Sequence, residues 1–346
     1  AFDLTTYSEP MQLVHRTADF SVKIEDLRHL AYDEQQTELE AFWNVEKARL
    51  FDLSCPPLMR FHIHRRTEDT LQLTMTELHA ISDGWSTTST LAEIFKNYLA
   101  IISNRPLPDA SPIASTYSDF VMLERETLQS EECQQYWAQK LSDATVMKLP
   151  RWPKSFRSRE EQPARKRMFL LSGDLIAGLN RLARQASVPL KSVLLAAHMK
   201  VMGLLSGQTE IVTGLVCNGR PEELDGEQVR GLFLNTLPFR LNLRQGSWME
   251  LVSATFDAEV EMLPYRRYPL AALQEKWGSE PLFETAFTFL HFHSVEELFT
   301  GEDFEYLTYG DRDLSVTNFA FTTVFLVDPA ERSSFSVVLD HDPDVV

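Results

Sequence analysis

Phe61 and Ile63 alternate with His62 and His64, and further on Leu71, Leu73 and Met75 alternate with Gln72, Thr74 and Thr76. Glu68-Asp69 stands between the two runs, so the period-two pattern predicts a β-hairpin. The odd positions of the second run carry its apolar face, and the same parity, continued past Glu77, points His79 toward the interior. The period then changes. Leu91, Ile94, Phe95, Tyr98 and Ile102 fall at helical spacing, with a capping box available at Thr90 and Glu93 and earlier starts at Ser86 or Thr87. Prolines between Asn104 and Pro112 end this helix, and a second is expected from Tyr117 to Leu141. Near the start of the chain, Met11 to Val22 reads as strand-like.

From Ser142 to Arg167 the periodicity lapses. Pro150, Pro153 and Pro163 interrupt the segment, and seven Lys/Arg stand against two Glu between Arg151 and Arg167. Residues 151–167 are expected to link an N-terminal lobe, 1–150, to a C-terminal lobe, 168–346. A solvated linker is the favoured reading of the basic run, with docking of an acidic partner domain the alternative. Beyond it, helices are expected from Ser172 to Gln185, from Val188 to Leu205 and from Trp248 to Met262. Strands are expected at Glu210 to Val216, after Gly231, at Thr285 to His293, at Phe319 to Val327 and at Phe335 to Leu339. The fold class is therefore α/β, with mixed α+β sheets.

Composition narrows the function classes. A net charge of −17 disfavours nucleic acid and anionic membrane surfaces, because the long-range field repels both. No apolar run approaches the ~18–20 residues of a membrane span, and no signal peptide opens the chain. Cys55, Cys133 and Cys217 are an odd number and far apart, which argues against a disulfide framework or a structural zinc. A reducing, cytoplasmic setting is expected. Both ends read as cut from a longer polypeptide. His62 with His64 and His291 with His293 each place two imidazoles on one strand face, but no third ligand stands at metal-site spacing, so no metal is expected. Serine-hydrolase elbow, Walker and zinc-protease motifs are absent.

The chemistry-bearing segment is Leu78-His79-Ala80-Ile81-Ser82-Asp83-Gly84-Trp85-Ser86. A histidine with one nitrogen held and the other free suits a general base, while an Asp-Gly turn fixes the backbone beside it. This His-x-x-x-Asp-Gly signature resembles the active-site loop of condensation domains in nonribosomal peptide synthetases. Tyr117-Ser118-Asp119-Phe120 matches the family's Tyr-x-Asp-Phe segment, and Gly231 through Arg240 matches its Gly-x-Phe-x-Asn-Thr segment. Val212-Thr213-Gly214 through Gly219-Arg220-Pro221 resembles the strand and loop before it. The matches occur in the family's order, and the resemblance as a whole covers nearly all 346 residues. Leu78 departs from the family, which carries a histidine there.

The resemblance implies a chloramphenicol acetyltransferase-like fold: two lobes in a V, with an active-site tunnel between them. It implies amide-bond formation between a donor acyl or peptidyl thioester and an acceptor aminoacyl thioester. Both would be delivered on phosphopantetheine arms by carrier protein domains, beside an adenylation domain, with no cofactor bound by the chain itself. By position, His79 is the catalytic residue at the reacting amine, and Asp83 is structural, paired first with Arg240. Gly84 lines the tunnel with its backbone; Trp85, Ser86 and Asn235 are further tunnel or supporting residues. His291 and His293 would touch substrate if they face that tunnel. Two other functions stay open: a non-catalytic recruitment module, for which Leu78 speaks, and a coenzyme A-dependent N- or O-acyltransferase of the same fold.

Overall fold

A computed structural model describes residues 1–108, 113–151, 165–223, 225–278, 280–291, 319–327 and 335–343. Most of the expected linker, residues 152–164, and His293 lie outside the described residues. The chain forms two compact units, Ala1–Gly84 and Trp85–Val346.

In the first unit, β1 (Phe2–Asp3) and β2 (Met11–Gln12) form a short antiparallel ribbon. The expected strand over Met11 to Val22 is not continuous. Leu13 still exchanges two backbone hydrogen bonds with Ala1, but the chain from Val14 to Ser21 belongs to no strand, and Val14 is almost fully exposed. Strand β3 (Val22–Asp26), helix α1 (Tyr32–Ala48) and strand β4 (Met59–Arg65) make a parallel crossover, as parallel pairing requires a long connection. Strand β5 (Leu71–Glu77) completes the predicted hairpin, with Phe61 opposite Met75 and Ile63 opposite Leu73. Helix α1 covers the even-numbered face: the Phe42 ring meets the rings of His62 and His64 edge-on at 4.8 and 4.7 Å. Those histidines are buried, and burial pushes both below the ordinary imidazole value.

The second unit holds helix α2 (Gly84–Ile102), which starts with the last residue of the first unit. Helices α3 (Tyr117–Gln129) and α4 (Glu131–Leu141) stand where one long helix is expected. The break falls at Ser130, whose hydroxyl accepts the Cys133 N–H and so caps α4. Serine offers the backbone this local alternative to a continuous helix. Then come β6 (Arg165–Leu170), α5 (Gly173–Ala186), α6 (Leu190–Ser206), β7 (Glu210–Asn218), β8 (Leu234–Asn242), α7 (Trp248–Met262), α8 (Leu270–Trp277), β9 (Thr285–Leu290), β10 (Phe321–Val327) and β11 (Phe335–His341). Arg165 to Arg167, expected in the linker, belong to β6, which pairs with β11. The six-stranded sheet has the order β6-β11-β10-β9-β7-β8. Its strands β7, β9 and β10 run parallel, and the others are antiparallel to their neighbours.

One core cluster explains why α4 belongs to this unit and not to a lobe ending near residue 150. Trp137, Leu141, Met147 and Leu149 pack with Leu195 and Met199 of α6, Leu215 of β7 and Phe239 of β8. No single helix among the described residues is long and apolar enough to cross a membrane.

A polar network crosses the centre of the sheet. His198 of α6 contacts the Thr323 hydroxyl through Nδ1 at 3.2 Å and the Thr213 hydroxyl through Nε2 at 3.0 Å. Thr213 in turn meets the Thr285 hydroxyl at 2.7 Å, so one imidazole ties β7, β9 and β10 together. A neutral ring supplies one donor and one acceptor, which suits two hydroxyls. Burial pushes His198 down to about 3. In the unfolded chain it titrates near its ordinary value of about 6.5, so the unfolded state binds more protons in between and stability falls as pH drops through that window. His62 and His64 act in the same direction. In denaturant melts, the stability advantage of the wild-type chain over His198→Gln is expected to shrink steadily from pH 7 to pH 4. An advantage that stays constant contradicts a neutral His198.

Candidate functional site

His79 occupies a single 3-10 turn, His79–Ile81, between β5 and α2. The strand ends at Glu77, so the alternation that pointed His79 inward no longer applies, and the residue is exposed. Its Nδ1 lies 2.7 Å from the Ser82 carbonyl oxygen. With the proton on Nδ1, this bond fixes the tautomer and leaves Nε2 as the acceptor. Leu78 precedes the turn, donates its backbone N–H to the Leu58 carbonyl at 3.0 Å, and accepts from the Ile81 N–H at 3.0 Å. Asp83 is almost completely buried.

Helix α2 begins at Gly84, six residues before the capping box expected at Thr90. Thr90 lies inside the helix and its hydroxyl donates to the Ser86 carbonyl at 2.7 Å, a bond that satisfies it without a helix start. The two residues after Gly84 both reach loop 226–231. Trp85 donates its indole N–H to the Glu227 carbonyl at 2.9 Å. The Ser86 hydroxyl donates to the Gly231 carbonyl at 2.9 Å, and accepts from the Gly231 N–H at 3.1 Å and from Arg220 Nη2 at 2.7 Å. Arg220 also donates Nη1 to the Gly226 carbonyl at 3.1 Å and to the Val229 carbonyl at 2.6 Å, with its guanidinium 4.0 Å over the Phe233 ring. In the sequence Arg220 stands inside a matching loop with no role assigned to it; an arginine in an Asn-Gly-Arg-Pro turn directly after an apolar strand was the available signal.

The Tyr117 segment meets the same place. Asp119 caps α3 through the Thr116 N–H at 2.6 Å and the Thr116 hydroxyl at 2.9 Å. Tyr117 donates its hydroxyl to the Leu232 carbonyl at 2.9 Å, and Phe120 packs edge-on against Phe233 at 4.9 Å. A Cβ on Gly231 would lie 2.2 Å from Tyr117 Cδ2, and one on Gly219 would lie 2.9 Å from Phe120 Cε2. Glycine is thus required at both positions by close approach. Asn235 stands at the start of β8. Its Nδ2 donates to the carbonyls of Arg266 and Tyr268 at 3.1 and 2.8 Å, and its Oδ1 accepts the Leu270 N–H at 3.3 Å. Arg266 and Arg267 then brace loop 218–222 through the carbonyls of Asn218, Gly219 and Arg220, and both pair with Glu222.

Arg240 has a different place from the one expected. It lies at the opposite end of β8, where its guanidinium pairs with Glu210 and with Asp143 at 2.7 Å, and donates to the Lys140 carbonyl at 2.9 Å. Strand register accounts for this, since Val212 is opposite Arg240 and Glu210 is two residues along the same face. Arg240 and Glu210, together with Tyr136, Gln139, Lys140, Asn242 and Glu261, line a cavity of about 390 Å³. Ser86, expected in a tunnel wall, is 1% exposed and its hydroxyl is fully used within the protein. Burial pushes the Cys217 thiol up to about 11, which removes it as a nucleophile at neutral pH. Among the described residues no cluster of three or more His, Cys, Asp or Glu side chains suits a metal ion.

Comparison with known proteins gives this arrangement a family. The model of the condensation domain matches residues 1–338. The AMB antimetabolite synthetase AmbE of Pseudomonas aeruginosa is 33% identical over 296 residues, covering 84% of this chain and 14% of the synthetase. Gramicidin S synthase 2 of Brevibacillus brevis is 26% identical over 346 residues, covering 97% of this chain and 8% of the synthase. This chain therefore spans about a seventh or less of these relatives. Among solved structures, the first condensation domain of the calcium-dependent antibiotic synthetase, in complex with a substrate analogue, superposes with a TM-score of 0.76 at 16% identity, covering 100% of this chain and 78% of that one. The mixed α/β fold is thus shared with condensation domains, and by its family match and its relatives the chain belongs to the condensation domains of nonribosomal peptide synthetases.

Proposed function

We propose that the chain joins a donor acyl or peptidyl thioester to an acceptor aminoacyl thioester, each held on the phosphopantetheine arm of a carrier domain in a larger synthetase. The observation that carries this reading is the His79 turn, with Nδ1 held by the Ser82 carbonyl and Nε2 free on an exposed residue. The acceptor amine nitrogen attacks the thioester carbon and forms a tetrahedral intermediate. His79 Nε2 takes the proton the amine gives up. The carbon–sulfur bond then breaks, the imidazolium returns the proton to the departing sulfur, and the products are an amide and a free pantetheine thiol. The thioester is already activated, so the domain's work is to position the two arms and manage one proton. In this reading Asp83 and Gly84 shape the turn.

Leu78 favours a second reading, in which the same fold recruits partners to a carrier-bound peptide without chemistry. The structure softens that contrast, because what position 78 contributes to the turn is two backbone hydrogen bonds, which leucine makes as well as histidine. Two measurements separate the readings. With a loaded donor carrier and an aminoacyl acceptor carrier, mass spectrometry is expected to show amide product from the wild-type chain and at least a roughly hundredfold loss in His79→Ala, the scale of a general base. Equal product from both proteins removes His79 from the mechanism. Leu78→His is expected to change turnover by less than about tenfold; activity that appears only in Leu78→His supports the recruitment reading.

A further inference from the structure

A serine in the first turn of a helix ordinarily bonds to its own helix as a cap. The Ser86 hydroxyl reaches far along the chain instead. It donates to the Gly231 carbonyl and accepts from the Gly231 N–H and Arg220 Nη2, so its contacts run 145 and 134 residues along the chain. These three bonds fill its one donor and two acceptor sites. The neighbouring Trp85 grips the same loop at Glu227, and Arg220 holds that loop at Gly226 and Val229. Two consecutive side chains therefore fix the start of α2 to loop 226–231, and the His79–Asp83 turn runs directly into that helix start.

We propose that Ser86 is a positioning residue for the amide-forming reaction, with Arg220 as its brace. Its hydroxyl locks the beginning of α2 to loop 226–231, and through the short stretch of chain between them sets how firmly the His79 turn is held. This rests on His79 acting at the reacting amine. A reacting group must be held to within about 0.5 Å of its productive place, and a slackened support costs turnover before it costs binding. Removing the hydroxyl also leaves the buried Gly231 N–H without its acceptor, which loosens the loop locally.

The test compares wild type with Ser86→Ala and Ser86→Cys in the carrier-bound amide assay, with hydrogen exchange of the peptide covering residues 226–231 followed by mass spectrometry. Ser86→Ala is expected to lower kcat roughly tenfold or more at an acceptor KM within about twofold of wild type, the pattern of lost positioning with binding kept. Exchange over 226–231 is expected to quicken, and Ser86→Cys, which keeps the shape and a weak donor, is expected to fall between. Wild-type kcat in a Ser86→Ala protein whose loop exchanges faster overturns the inference, because the lock is then only structural. So does a rise in KM at constant kcat. If Ser86→Ala does not fold, Ser86→Cys decides alone: lower kcat at unchanged KM supports positioning, and unchanged kcat overturns it. A wild-type chain that forms no amide overturns the His79 reading together with this one. Failure of this inference alone shows instead as a working wild type matched by Ser86→Ala.

Discussion

The close approach of backbone and side chains at Gly231 is the contact on which the rest of the site depends. The Tyr117 ring occupies the space a Cβ would need, and the Ser86 hydroxyl sits against both the N–H and the carbonyl of the same residue. Three segments far apart in the chain therefore meet on one residue. Phe233, two residues on, packs against Tyr117 and Phe120 and lies under the Arg220 guanidinium. Any side chain at residue 231 would push these partners apart, and overpacking of this kind costs about 1–3 kcal/mol before the hydrogen bonds are counted.

Polar groups do much of the fixing in this molecule. Loops 218–222 and 226–231 carry backbone carbonyls that Arg220, Arg266, Arg267 and Trp85 satisfy from four directions. The arginine fork suits such work, because several donors leave one rigid plane. His198 does the corresponding job in the sheet, where it joins the hydroxyls of parallel strands that share no turn. Each of these contacts has specific partners, so each demands one arrangement of the chain instead of merely a compact one.

Much of the fold was legible from periodicity. The hairpin of β4 and β5, helix α7 and the apolar helix α6 fall close to where alternation and helical spacing put them. The misplacements have local causes. Ser130 splits a continuous helical pattern because its hydroxyl caps a new helix, and Thr90 imitates a cap while bonding inside a helix that started earlier. The direction of His79 was lost where the strand gives way to a 3-10 turn after Glu77, and a parity argument has no force beyond its strand. The face of the first sheet covered by α1 was also hidden, because β4 is a central strand whose polar-looking histidines are buried against the Phe42 ring.

By itself the sequence determined the family, through the order and spacing of the His79, Tyr117 and Gly231 segments, and it determined which residue types carry each local task. Helical and strand periods, glycines and caps act over a few residues, and a linear pattern records them. Tertiary structure alone decided which partners the polar side chains take. Arg240 was expected beside Asp83, yet strand register brings it Glu210 and the chain just after α4 brings it Asp143; Arg220, unassigned, holds the loop beside Ser86. The physical reason is that an ion pair or a buried hydrogen bond needs its partners within about 3 Å and properly oriented. That condition is met by strand register and helix packing across more than a hundred residues of chain, and no spacing in the sequence encodes it.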